Sequence, residues 1–282
     1  MAEITAQMVK NLRDKTGAGM ADCKKALVEA EGDIEKAIEV LRKKGAASAA
    51  KRADRNAKEG IVNAIVNDSK NIGVILEINC ETDFVAKNEE FVEFSKAVAQ
   101  AYLNNEAADI EALLKVKVGN DTVNDLQNGI LAKFSEKIEI RRIMKIKTSG
   151  FLSVYNHFDK KLGVLAEANI ANPDDKTKTA VHDIALQIAA MNPISVDRSN
   201  VTQDKIDKEI EIYKELAINE GKTPEMAERV AQGKLNKFFQ ESCLLEQVFA
   251  KDNTKKVNEV LTEANPELKI VSFKRYALGE EI

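Results

Sequence analysis

The chain has 282 residues, of which 44% are hydrophobic and 31% charged, enough apolar material for more than one folded core and too much for a disordered tail. Its formal net charge of −4 argues against a broad nucleic-acid-binding surface. Three isolated cysteines (Cys23, Cys80 and Cys243), no membrane-length apolar run and no leader pattern in MAEITAQMVKNL lead us to expect a cytoplasmic protein without a disulfide framework.

Residues 1–45 read as three short helices closing into a small bundle. Thr5 caps the first, with Met8, Val9 and Leu12 on one face and Gly17 after its end. The second carries Cys23, Ala26, Leu27 and Ala30. Asp33 caps the third, whose apolar face is Ile34, Ala37, Ile38 and Leu41, and which Gly45 is expected to end. Residues 46–60 then read as a basic linker. Across 42–60, Arg42, Lys43, Lys44, Lys51, Arg52, Arg55 and Lys58 outnumber Asp54 and Glu59, a local net charge of +5. Such a stretch is either a solvated helical linker or a strip for RNA or an acidic partner.

From Ile61 the apolar period becomes strand-like. IVNAIVN, a turn at Asp68 to Asn71, and IGVILEINC form a predicted hairpin. It ends in ETDFVAKN, which sets Phe84 beside Asp83 just where the chain leaves the strand. By pattern alone that ring reads as core. A helix follows with Phe91, Phe94, Val98 and Ala101 on one face, then more helix between Asp109 and Ser135, and a strand at IEIRRIMKI. The hairpin recurs as FLSVYN, a turn around Phe158 to Lys161, and LGVLAEAN. Gly73 and Gly163, Val74 and Val164, Glu77 and Glu167, Asn79 and Asn169 align at one offset of 90 residues. A second helix runs from about Asp174 to Met191. The fold class is therefore α+β, with two related hairpin-plus-helix subdomains at 61–147 and at 148–202 joined with 241–282. Residues 203–240 read as an inserted antiparallel helical hairpin. Its expected seam is Ile206, Ile210, Tyr213 and Ala217 against Met226, Val230 and Phe238, with Thr223 and Pro224 starting the second helix. A helix with Val257, Val260 and Leu261 and a strand at LKIVSFKRY close the chain.

Catalytic signatures are missing. GKT at 221–223 lacks the earlier glycine and the preceding strand of a phosphate loop, and GAG at 17–19 lacks the strand and third glycine of a dinucleotide site. His157 and His182 are the only histidines, neither in an HExxH pattern nor near a cysteine cluster, so no metal site and no cofactor are expected. His182 reads as structural. A binding protein fits better than an enzyme.

TGAGMADCKKAL at 16–27, TDFVAKN at 82–88 and SVYNHF followed by LGVLAEA together carry a resemblance to the bacterial elongation factor Ts family, in matching order along nearly the whole chain. The resemblance implies a three-helix, ubiquitin-associated-like N-terminal domain and a guanine nucleotide exchange factor without covalent chemistry. Its partner would be elongation factor Tu, with no membrane and no direct nucleic acid. It implies that Thr82, Asp83, Phe84 and Val85 disturb the partner's Mg²⁺ site, which turns Phe84 outward. His157 would press on the phosphate side, and Lys10, Arg13 and Met20 would dock the N-terminal domain. Ala21 stands where many relatives have a second methionine, the turn after His157 is longer and more charged, and the end at ALGEEI leaves no further C-terminal helix to expect. The helical hairpin is expected to serve as a rigid spur or as a surface for self-association or a partner. An RNA-binding accessory and a structural adaptor are the alternative readings.

Overall fold

The structure, a computed structural model, describes residues 4–52 and 54–281; the side chains of residues 45–51 fall outside that description. Three helices open the chain: α1 (Ala6–Thr16), α2 (Met20–Glu29) and α3 (Ile34–Lys51). The Thr5 hydroxyl accepts the Met8 N–H at α1's start, and Gly17, at φ 67°, returns its N–H to the Arg13 carbonyl at its end. Val9, Leu12, Cys23, Ala26, Leu27, Ala37 and Leu41 form their common core. One boundary differs from expectation. α3 runs through Gly45 to Lys51, because a single glycine costs about 1 kcal/mol and the surrounding alanines are the strongest helix formers.

The first α+β unit contains β1 (Glu59–Val66), β2 (Ile72–Cys80), α4 (Asp83–Lys87), α5 (Glu89–Asn104), α6 (Ile110–Leu114), β3 (Lys117–Val118), β4 (Asp121–Thr122), α7 (Val123–Lys133) and β5 (Ile138–Lys147). β1, β2 and β5 make an antiparallel sheet in that order. The central strand β2 is buried from Gly73 to Cys80. One of its faces meets the α5 core of Phe91, Phe94 and Val98, and the other packs Ile75 against Leu165 of the second unit. Two covered faces explain a continuous apolar run in place of alternation.

The second unit contains β6 (Phe151–Asn156), β7 (Leu162–Ala168), α8 (Asp175–Met191), then α9 (Gln203–Asn219) and α10 (Pro224–Ser242), β8 (Val248–Phe249), β9 (Asp252–Lys256), α11 (Val257–Ala264) and β10 (Ile270–Ala277). Its sheet runs β10-β7-β6, with Val181, Ile184 and Ile188 of α8 beneath. The expected seam of the α9–α10 hairpin holds on α9, where Ala217 is buried and Ile206 and Ile210 pack inward with Phe238 of α10, but differs over the rest of α10. Met226 is 51% exposed, Val230 is half-buried, and Ala227, Ala231, Leu235 and Phe239 point inward. Steps of four residues place these on one stripe, and the two alanines let the helices approach; size alone had favoured the wrong positions.

The 90-residue repeat is also a spatial one. Val62 donates its N–H to the Lys160 carbonyl at 2.8 Å, and Leu152 donates to Lys70 at 2.7 Å. A Cβ on Gly73 would meet Leu152 at 3.0 Å, and one on Gly163 would meet Val62 at 3.0 Å. A Cβ on Gly60 would lie 2.1 Å from the Ile78 carbonyl oxygen, and one on Gly150 would lie 1.9 Å from that of Ala168. Every residue in each pair matches its counterpart at the same offset. The two sheets therefore exchange equivalent contacts about a local pseudo-two-fold, and each hairpin turn lies against the first strand of the other hairpin.

Candidate functional site

The corner after β2 is built by one carboxylate. Glu136, just before β5, accepts the Glu81 and Thr82 N–H groups through Oε2 at 3.1 and 3.0 Å, and the Thr82 hydroxyl through Oε1 at 2.6 Å. The Thr82 hydroxyl in turn accepts the Val85 N–H, capping α4. Glu81 accepts the Lys137 N–H at 2.6 Å and an Arg55 N–H at 3.2 Å. So fixed, α4 sends Val85 into the core, where it is 6% exposed, and sends Phe84 into solvent at 83% exposed. Val85, expected among the contact residues, is an internal anchor; its neighbour carries the exposed surface. Asp83 is partly exposed and bound to Lys87 at 2.6 Å. That hydrogen bond holds its carboxyl below the usual range.

The pseudo-two-fold brings the turn of the second hairpin beside this corner. Glu59, Gly60, Asp83 and Lys87 face Phe158 and Lys160 across a groove of about 580 Å³. Lys161 closes one end through a 2.7 Å ion pair with Glu59. His157 starts the turn. Its N–H donates to the Leu162 carbonyl at 2.8 Å, its Nδ1 lies 2.7 Å from the Tyr155 hydroxyl, and its ring packs on Phe158 with centroids 4.5 Å apart. The groove sets the turn of the second hairpin, from Phe158 to Lys161, against Asp83, Ala86 and Lys87 of α4; Thr82, Phe84, Val85 and His157 adjoin its lining in sequence without being part of it. Lys10, Arg13 and Met20 are exposed on α1 and α2 of the helical bundle and do not line it. His182 is exposed on α8.

All three cysteines are buried, and burial pushes the Cys80 thiol up to about 12, so it stays protonated. Among the described residues no group of three His, Cys, Asp or Glu side chains could hold a metal ion, and no helix is long and apolar enough to cross a membrane.

Comparison with known proteins gives this geometry its context. The family model described as Elongation factor TS matches residues 81–280. A protein named Elongation factor Ts from Chloroherpeton thalassium is 45% identical over 290 residues, covering 100% of both chains. The chain belongs to the elongation factor Ts family. Relatives of the same name from Prosthecochloris aestuarii and Clostridium botulinum are 44% and 41% identical, each over 99% of this chain and over 100% and 94% of their own. The function is accordingly that of a translation elongation factor. In this elongation factor Ts chain, sequence reasoning missed Glu136, Tyr155 and Phe158. Glu136 is one of many surface-coded acids, and only its contact 54 residues back along the chain reveals its role. Phe158 did leave a signal: it is a large ring inside a charged turn.

Proposed function

We propose that this protein binds elongation factor Tu and speeds GDP release, allowing GTP to rebind, and that the Phe84 corner is its working edge. The observation that carries the reading is a phenylalanine at 83% exposure on a five-residue helix tied down at its first turn. A GTPase holds GDP by backbone N–H groups and by Mg²⁺ bound to phosphate. A ring driven between packed elements of that partner shifts them, since packed interiors do not deform freely. The shift moves the Mg²⁺ ligands and the phosphate cradle, and the nucleotide loses part of its hold. Thr82 sets the corner, Asp83 adds a fixed acceptor beside the ring, Val85 roots it, and His157 presses from the adjoining hairpin. Lys10, Arg13 and Met20 dock the N-terminal bundle, here read as ubiquitin-associated-like, on the partner's nucleotide domain. No bond is made or broken, so the protein is an exchange factor and not an enzyme. Its place of work is the cytoplasm, with the partner in GDP-bound and nucleotide-free states. The α9–α10 hairpin remains a surface for self-association.

Linkage makes the effect reciprocal: a hundredfold weakening of GDP requires about 2.7 kcal/mol of coupling, and GDP weakens the factor equally. The basic stretch supports protein binding over RNA binding. Arg42 is spent on Asp121 at 3.0 Å, Lys44 on Glu29 at 2.6 Å and Arg55 on Glu81 at 3.2 Å. The Lys51 side chain lies outside the described residues. The test is release of a fluorescent GDP from purified elongation factor Tu. Wild-type protein should accelerate it, and Phe84→Ala should remove most of the acceleration; equal rates for the two would end the wedge assignment.

A further inference from the structure

The two hairpins contain an internal control. Their turns share one backbone: Lys70 and Lys160 both adopt left-handed conformations, at φ 52° and 59°. Lys70 donates its N–H to Asn67 and Lys160 donates to His157, each at 2.9 Å. At the 90-residue offset, the counterpart of Phe158 is Asp68. An identical turn in the same chain therefore forms with an aspartate in that place, and turn geometry does not call for a ring.

Packing does not call for it either. Phe158 is 88% exposed, the highest among the large hydrophobics of the described residues, and Phe84 follows at 83%; none of the others exceeds 54%. Leaving a phenylalanine in water forgoes about 1.5–3 kcal/mol that burial would return. Phe158 lines a groove whose opposite wall is Asp83, Ala86 and Lys87 of α4, the short helix that also carries Phe84. The pseudo-equivalent corner, where the chain reads Ala171-Asn172-Pro173-Asp174, has no such ring. Tilted packing on the His157 ring, with centroids 4.5 Å apart, orients the Phe158 ring at the lip of the groove. Charge adds a second feature. Lys87 and Lys161 are neutralised by Asp83 and Glu59, whereas Lys160 has no ion pair among the described residues.

We propose that Phe158 is a second anchor for the GTPase partner. It takes an apolar side chain of elongation factor Tu, while Lys160 takes a carboxylate next to that side chain. The proposal rests on the exchange reading and divides the labour within it. Phe84 stands on a short helix braced by Glu136, a rigid mount that can displace what it touches. Phe158 stands at a turn tip, held by one packed ring, and contributes affinity by burying surface in a desolvated contact. The first should govern how fast the bound partner loses GDP. The second should govern how much factor is needed.

The experiment is GDP release from elongation factor Tu as a function of factor concentration, for wild type, Phe84→Ala, Phe158→Ala and Lys160→Glu, with melting curves for each. Phe158→Ala should raise the half-saturating concentration about tenfold, as for an interface hot spot, and leave the plateau rate within about twofold of wild type. Phe84→Ala should lower the plateau. Lys160→Glu should raise half-saturation more at low salt than at high, because the lost attraction is screened. If Phe158→Ala saturates like wild type while Phe84→Ala is impaired, the second anchor is wrong and the exchange reading stands. If wild-type protein fails to accelerate release, both fall. If Phe158→Ala instead converts a wild-type dimer to a monomer in sedimentation, the ring serves self-association and the proposal is overturned.

Discussion

Phe84 and Val85 are adjacent in sequence and opposite in burial, 83% and 6% exposed, because successive residues on a helix point about 100° apart. Their alanine substitutions should separate function from stability. Phe84→Ala removes a ring that packs on little of its own chain, so thermal unfolding should move by no more than about 0.5 kcal/mol while exchange collapses. Val85→Ala empties part of the α5 core and should cost about 1–3 kcal/mol, with exchange falling only as far as α4 loosens. Melting curves beside GDP-release rates distinguish the two, and a Phe84 variant that unfolds early would show the ring to be structural. Tyr155 belongs to the same scale. Its hydroxyl meets His157 Nδ1 at 2.7 Å and fixes the imidazole's orientation. A hydrogen bond of net worth about 0.5–1.5 kcal/mol predicts a two- to tenfold loss of exchange in Tyr155→Phe, smaller than for His157→Ala, with stability lowered by no more than that amount. Equal losses in both variants would mean that the phenol itself meets the partner.

A five-residue helix does not persist on its own propensity, so α4 depends on what holds its first turn. Glu136 supplies three acceptor contacts there. Glu136→Ala should therefore cost about 1–3 kcal/mol and raise hydrogen exchange at residues 82–87 above that of α5. It should also lower the plateau exchange rate although Glu136 does not line the groove; unchanged protection at 82–87 would exclude it as the brace. This element also marks what the sequence made legible. The hairpins, the three-helix start, α5 and α8 could be read because their apolar periods run long enough to separate strand from helix. The outward turn of Phe84 could not be read from pattern, since period cannot tell an exposed ring from a buried one, and only the family resemblance reversed it. The brace and the inner seam of α9–α10 escaped because partners elsewhere in the chain decide them, and the two-residue strands β3, β4 and β8 because so short a run carries no readable period. The repeat was visible at four aligned pairs, but Gly60 and Gly150 add a fifth with a physical reason. At both, a backbone carbonyl occupies the space of a Cβ. Gly150→Ala should destabilise by about 1–3 kcal/mol or more, as should Gly60→Ala, and near-wild-type melting of either would contradict that close approach.

At the scale of the molecule, the two α+β units meet at a buried carboxylate. Glu77, on β2 of the first unit, accepts from Arg141 at 3.0 Å, from Arg142 at 2.6 Å and from the Gly279 N–H at 2.9 Å, beyond the last strand of the second unit. The arginines reach the same place: Arg141 donates to the Glu280 carbonyl and Arg142 to the Ala277 carbonyl, and Arg142 stacks on Tyr276 at 4.0 Å. Burial pushes the Glu77 carboxyl up, but the Gly279 N–H and the two guanidinium groups outweigh it and hold the group below the usual carboxylate range. A carboxyl depressed in the folded state contributes stability above its unfolded value, about 4.3, and loses that contribution as pH falls through the folded value. Glu77→Gln leaves Arg141 without a counter-charge among the described residues and Arg142 with only Glu280 at 3.8 Å, and should cost about 3–5 kcal/mol at neutral pH. Protonation of wild type below the folded value produces nearly the same neutral group, so the two melting curves should converge in acid. The variant should thus show a flatter dependence of Tm on pH than wild type as the pH falls from neutral into the acid range. A constant gap between the two across that range would mean that Glu77 stabilises by shape alone, and that the joint between the units is not an electrostatic one.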